Sequence, residues 1–292
     1  MKAYPSWQAF QDHLPLRNRM TSDIHCQEEY IYYHDVHMHV DIYQPRYFKG
    51  TIIILHGLIA NGRMLSFLAI PFYRLGYRVI CPDLPFFGQS NVKQATYEDW
   101  LACCQKLIEQ TEIENTFLMG LGLSGMLAYQ LGALCPQIRG VIVTHLLDLN
   151  DKNVGNDVWT DPVFEKHARL LRRHALKIKR VIDTSTISNN PTVCQLLSED
   201  EQSAGARVTH EFLHTLAHPT LCPPEEYRVP ILLAQPERDQ WIDLADSMSF
   251  FERIGADKYR VLLEGAGHLP IEVIGLNQLQ KMVVLFIRKY RL

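Results

Sequence analysis

The chain has 292 residues, 47% hydrophobic and 21% charged, a globular composition that excludes a disordered, collagen-like or coiled-coil protein. Lys and Arg number 29 against 32 Asp and Glu, a net charge of -3, so no global field draws the chain to nucleic acid or to an anionic membrane. No apolar run reaches the roughly 18 residues of a membrane span, Met1-Lys2-Ala3-Tyr4-Pro5 lacks the apolar stretch of a signal peptide, and seven cysteines without a CxxC pair fit reduced thiols in a cytoplasmic protein.

Predicted strands and helices then alternate along the chain. Residues 30–34 and 38–43 are β-rich on either side of Asp35 and predict a hairpin. Thr51-Ile52-Ile53-Ile54-Leu55 is a short apolar run of the kind found in fully buried strands. A helical pattern follows over 64–75, a strand over 77–81 closed by Pro82, a helix over 97–110, a strand over 117–119, a helix over 125–134 and a strand over 140–143. The alternation stops over 149–228, a polar, turn-rich and helical stretch containing Asn189-Asn190-Pro191 and Pro223-Pro224, which reads as an inserted helical cap or lid. It resumes with strands over 230–233 and 259–263 and helices over 244–254 and 276–288. This order predicts an α/β fold: a mostly parallel sheet with helices on both faces, its core formed by residues 1–148 and 229–292. Ligands of such sheets bind at the carboxyl ends of the strands, so the residues just after each strand are the ones to inspect.

After the 117–119 strand comes Gly120-Leu121-Gly122-Leu123-Ser124-Gly125-Met126, running straight into a helix. A serine at a tight strand-to-helix turn is exposed and strained, and its small neighbours let the backbone fold sharply. Ser124 is therefore a candidate nucleophile, with the Gly125 amide aimed at a developing oxyanion; a helix-capping serine beside flexible glycines is the structural alternative. Asp239 lies on the loop after the 230–233 strand and His268 on the loop after the 259–263 strand. A serine hydroxyl needs a base, and that imidazole needs an acid to hold its tautomer. The chain order Ser, Asp, His, each at a strand end, makes Ser124, Asp239 and His268 the candidate catalytic set, with Asp148 and Asp243 as reserve acids.

On these motifs the chain resembles an α/β hydrolase from near residue 28 to the C-terminus, most similar to the lysophospholipase and monoacylglycerol-lipase-like group. Leu55-His56-Gly57-Leu58 is similar to the family's His-Gly oxyanion loop, which implies the Leu58 amide as second oxyanion donor beside Gly125. Cys81-Pro82-Asp83-Leu84-Pro85-Phe86-Phe87-Gly88-Gln89-Ser90 resembles its D-x-P-x-x-G-x-S loop, and Gly265-Ala266-Gly267-His268 its histidine loop. Two positions depart from the pattern: Met126 stands where the family has a small residue, usually Gly, and Phe87 where many relatives carry His. Phe86 and Phe87 are accordingly expected to line an apolar site mouth.

Two further motifs compete for attention. His210-Glu211-Phe212-Leu213-His214 matches the zinc-hydrolase pattern H-E-x-x-H, with Glu211 as base, but Ala217 replaces the glycine of the longer metzincin pattern and Pro219 cuts the helix short. Helix packing accounts for these histidines better than zinc binding does. The basic run over 166–180 reads as helical and could meet phosphate headgroups or an anionic lipid surface; a solvated cap helix accounts for it too.

The expected activity is hydrolysis of a carboxylic ester, a monoacyl lipid or medium-chain ester, through an acyl-enzyme on Ser124, with no cofactor, no metal and no nucleic-acid partner. The alternatives are a zinc hydrolase at His210 and His214, and a non-catalytic ligand-binding protein on the same fold.

Overall fold

A computed structural model describes residues 4–90, 92–111, 115–148 and 171–292. The N-terminal helix α1 (Pro5–Gln11) precedes the hairpin of β1 (Gln27–Tyr33) and β2 (Val36–Tyr43). Then follow β3 (Thr51–Leu55), α2 (Ser66–Arg74), β4 (Arg78–Pro82), α3 (Tyr97–Gln110), β5 (Thr116–Gly120), α4 (Ser124–Leu134) and β6 (Ile138–Val143). The segment after residue 170 holds β7 (Ala175–Lys177), α5 (Pro191–Glu199), β8 (Arg207–Thr209) and α6 (His210–Ala217). The chain then returns to the sheet with β9 (Ile231–Pro236), α7 (Leu244–Phe251), β10 (Lys258–Leu263) and α8 (Val273–Tyr290).

Eight strands form one sheet in the order β1-β2-β4-β3-β5-β6-β9-β10. Only β2 runs against the rest, pairing antiparallel with β1 and β4, so the sheet is mostly parallel as the βαβ alternation predicts. The central strands β3 and β5 are buried along their whole length, because helices cover both faces and no residue of either strand meets water. Helix starts follow local chemistry. Thr96 and Asp99 form a reciprocal capping box at α3, and Asn190 caps α5 ahead of Pro191.

The loop after β4 is pinned to the core. Asp83 accepts hydrogen bonds from the Gly62 amide at 2.6 Å and the Gln89 amide at 2.8 Å, and meets the His39 ring at 2.9 Å. Ser90 Oγ donates to the Asp83 carbonyl and accepts from the His39 amide. The aspartate, glycine and serine of this loop thus hold a turn together and lie apart from the cavity described below.

Between β6 and β9 the described residues are not purely helical, as the sequence led us to expect. Ala175–Lys177 and Arg207–Thr209 form a two-stranded antiparallel ribbon. Residues 171–180 of the basic run are consequently a turn, a strand and a 3-10 turn (Ile178–Arg180), not one helix; residues 166–170 lie outside the described residues. Its cations are partly engaged, Arg172 with Glu211 and Lys177 with Glu201. This segment meets the core through Asn61, which donates to Ser203 at 3.0 Å, and through the Gly88 amide, which donates to the Gln202 carbonyl. Among the described residues no helix is long and apolar enough to cross a membrane.

Candidate active site

The chain leaves β5 through a sharp turn. The Leu121 amide donates to the Leu55 carbonyl at 3.1 Å, continuing the sheet ladder by one residue. Gly122 then turns left-handed at φ +56, its amide donating to Thr144 Oγ1 at 2.9 Å. Only a residue without a Cβ adopts this conformation freely. The Ser124 amide donates to the Leu121 carbonyl and the Gly125 amide to the Gly122 carbonyl, which opens α4.

Above this turn stand His268 and Asp239. His268 Nδ1 lies 2.8 Å from Asp239 Oδ2, while Asp239 Oδ1 accepts from the Trp241 and Ile242 amides at 2.7 and 3.0 Å. Asp239, not Asp148 or Asp243, is the carboxylate that His268 meets. With Nδ1–H donating to Asp239, Nε2 is the free acceptor of the ring. That nitrogen faces Gly122: a Cβ built on Gly122 would stand 3.0 Å from His268 Nε2 and 3.6 Å from Cε1.

A second imidazole completes the cluster. His145 Nε2 lies 2.6 Å from the same Asp239 Oδ2, and its ring stacks on His268 with centroids 4.6 Å apart. Asp239 as a carboxylate only accepts, so the His145 nitrogen facing it donates and His145 Nδ1 accepts the Thr144 hydroxyl proton, 2.9 Å away. His145 therefore carries its own proton on Nε2 and gives that bond to Asp239. Burial, opposed by the bond to Asp239, pushes His145 down to about 4 and keeps it neutral. Burial works to raise the Asp239 carboxyl, but the hydrogen bonds from His145 and His268 outweigh it and hold the group well below the usual carboxylate range.

Ser124 is not part of this cluster. It is 1% exposed, and its hydroxyl donates to the His56 carbonyl at 2.5 Å. Among the described residues no hydrogen bond joins it to His268. The Gly125 amide is likewise committed, to the Gly122 carbonyl at 3.0 Å. Among the described residues the amides of Leu58 and of Leu123, the residue after Gly122, donate to no protein acceptor. Of the two amides expected from the sequence, that of Leu58 is thus unengaged among the described residues and that of Gly125 is not. His56 itself is structural: its Nδ1 gives a proton to the Gly57 carbonyl and its Nε2 accepts the Leu84 amide.

An apolar cavity opens beside His268. Leu58, Leu121 and Gly122 border it with His268, and Phe10, Met64, Ile187, Leu197 and Trp241 enclose the remainder. Phe10 comes from α1, and Ile187 and Leu197 from the segment between β6 and β9, so three separate parts of the chain close one pocket. Phe86 and Phe87 do not line it, contrary to expectation. Phe87 is fully buried, edge-on to His56 and Trp100, and Phe86 packs against Phe212 of α6. These aromatics join α6 to the core.

The H-E-x-x-H residues lie on α6 with other partners. His210 Nδ1 meets the His174 carbonyl at 3.0 Å, Glu211 pairs with Arg172, and the His214 ring packs on His218. Among the described residues, the clusters of three or more ligand-type groups are His145, Asp239 and His268, and Glu28, His39 and Asp41; neither includes α6. Sequence reasoning missed His145 and Thr144, although they follow β6 at its carboxyl end, where a site residue is expected.

A family model described as serine aminopeptidase, S33, matches residues 47–272. No curated protein matches the sequence. Among solved structures, the chain is similar to a monoacylglycerol lipase from Paleococcus ferrophilus, with TM-score 0.72 and 19% identity over 87% of this chain and 99% of that one. It is also similar to a soluble variant of monoglyceride lipase from Saccharomyces cerevisiae, bound to a substrate analog, with TM-score 0.74 and 14% identity over 94% and 99% of the two chains. An esterase from Exiguobacterium antarcticum gives TM-score 0.66 and 15% identity over 90% and 100%. At these identities the likeness is one of fold.

Proposed function

The chain belongs to the S33 serine aminopeptidase family of α/β hydrolases, and we propose that it acts on carboxylic esters with an apolar acyl group, a monoacyl lipid or medium-chain ester. One observation carries this proposal: the apolar cavity opens directly onto His268 and Leu58. An acyl chain in the cavity gains about 0.8 kcal/mol for each CH₂ it buries. Its carbonyl oxygen then meets the amides of Leu58 and Leu123, a contribution of about 3 kcal/mol per donor as charge develops. His268 acts as general base, and Asp239 holds its tautomer and stabilises the imidazolium.

The lipase and esterase fold neighbours support an acyl ester, whereas the family's description names a peptidase. The cavity walls favour the ester, since the described lining residues are apolar apart from His268 and none is a carboxylate that would hold a free α-amino group. In this proposal residues 149–228 are the cover of a core formed by 1–148 and 229–292, and the unpatterned cysteines favour a cytoplasmic location. A second reading, a binding protein without turnover, draws support from the glycine at position 122 beneath the base.

A panel of aryl esters from acetyl to dodecanoyl tests the proposal, with thermal shift reporting binding beside turnover. Both should climb with acyl length until the cavity is full. A flat profile, or response to acetyl esters alone, contradicts it.

A further inference from the structure

The side chain that a serine hydrolase uses to attack its substrate stands under the free nitrogen of the base. Here that place belongs to Gly122. Its backbone holds the strained left-handed turn of such a nucleophile, and a Cβ on it would come within 3.0 Å of His268 Nε2. Ser124 cannot take over by rotating. It is buried at the first position of α4. Its hydroxyl is already given to the His56 carbonyl. The cavity borders Gly122 and His268 side by side, and His268 and Leu58, whose amide has no protein acceptor among the described residues, both line it. A water molecule needs two or more such partners.

We infer that this chain hydrolyses its ester without an acyl-enzyme, using water activated by His268 above Gly122; the inference rests on the ester reading of the same site. His268 Nε2 takes one proton from water as the water oxygen bonds to the carbonyl carbon. The carbonyl π electrons move to oxygen, and the Leu58 and Leu123 amides hold the oxyanion. The oxyanion then reforms the carbonyl, the C–O bond to the alcohol breaks, and His268 returns its proton to the leaving oxygen. One water and one ester yield one acid and one alcohol. No residue changes its covalent state.

The test compares the native chain with Ser124→Ala, Gly122→Ser and His268→Ala, using turnover of an aryl dodecanoate, labelling by a fluorophosphonate, and thermal shift with dodecanoate. The inference expects native turnover with no label, unchanged turnover in Ser124→Ala, and a loss of about 10²- to 10⁴-fold in His268→Ala. It expects Gly122→Ser to gain a label mapped to residue 122. A label on native Ser124, or loss of turnover in a Ser124→Ala variant that still binds dodecanoate, overturns it. Dodecanoate binding without native turnover also overturns it while leaving the cavity assignment intact, whereas absence of both binding and turnover removes the ester reading itself.

Discussion

His145 and His268 stack face to face, centroids 4.6 Å apart and planes 17° from parallel, and both address one oxygen of Asp239. A carboxylate oxygen shared between two donors pulls less on each than an unshared one. His145 thus positions Asp239. His145→Phe keeps the ring stack and removes the donor. The pH–rate profile should fall in height, because Asp239 loses one of the donors that hold it in place. Asp239→Asn removes the acceptor of both rings and should cost turnover about 10²- to 10⁴-fold. A His145→Phe profile superimposing on the native one would remove the positioning role.

Stability should fall on acidification through the same cluster. His145 is neutral and buried with its folded value near 4, while the unfolded chain protonates it at the ordinary 6.5. Between these values only the unfolded chain binds the proton, so the contribution is full above 6.5 and lost as pH falls toward 4, in total of order 3 kcal/mol. Asp239, held low, adds a loss of the same sign at still lower pH. Urea unfolding at about pH 7 and about pH 5 should show a smaller difference in His145→Phe than in the native chain. Equal differences in the two proteins would contradict this assignment.

If the cavity holds the acyl chain as proposed, it can be narrowed at a wall. Leu197 is buried and contributes to that wall from α5. Leu197→Trp should leave acetyl ester turnover intact and depress dodecanoyl turnover, by about fourfold for each methylene displaced at about 0.8 kcal/mol. Equal loss on both esters would mean the wall is not where the chain lies.

Phe87 separates a packing role from a substrate role. It is fully buried between His56 and Trp100. Phe87→Ala should destabilise the fold by about 3 to 5 kcal/mol. The protein that remains folded should keep its acyl-length profile, and a changed profile at unchanged stability would restore Phe87 to the site mouth.

Much of the architecture was legible because period and punctuation agreed. The apolar runs at 51–55 and 140–143 became central strands, and Asp239 and His268 fell on the post-strand loops where the α/β pattern placed them. The elbow was misjudged by two residues. Gly120-x-Gly122-x-Ser124 fits the pattern small-x-nucleophile-x-small, and close packing explains it: a Cβ on Gly120 would run into the Ser124 carbonyl at 2.1 Å. The oddity of Met126 was the readable sign, since in this register Met126 lies outside the pattern and needs no excuse. The glycine hid the position because motif reading looks for a reactive atom, and here that atom is missing. His145 escaped for another reason: its partner Asp239 is 94 residues away, and only the β6–β9 pairing brings them together. Phe86 and Phe87 misled because adjacency to a family motif says nothing about which way a side chain packs.

The most direct measurement is the intact mass of the native chain, acid-quenched during steady turnover of an aryl dodecanoate. The unmodified mass alone should be present at every time point while product accumulates. A population heavier by one dodecanoyl group, with the acyl group mapped to Ser124, would contradict hydrolysis by water at His268 and Gly122.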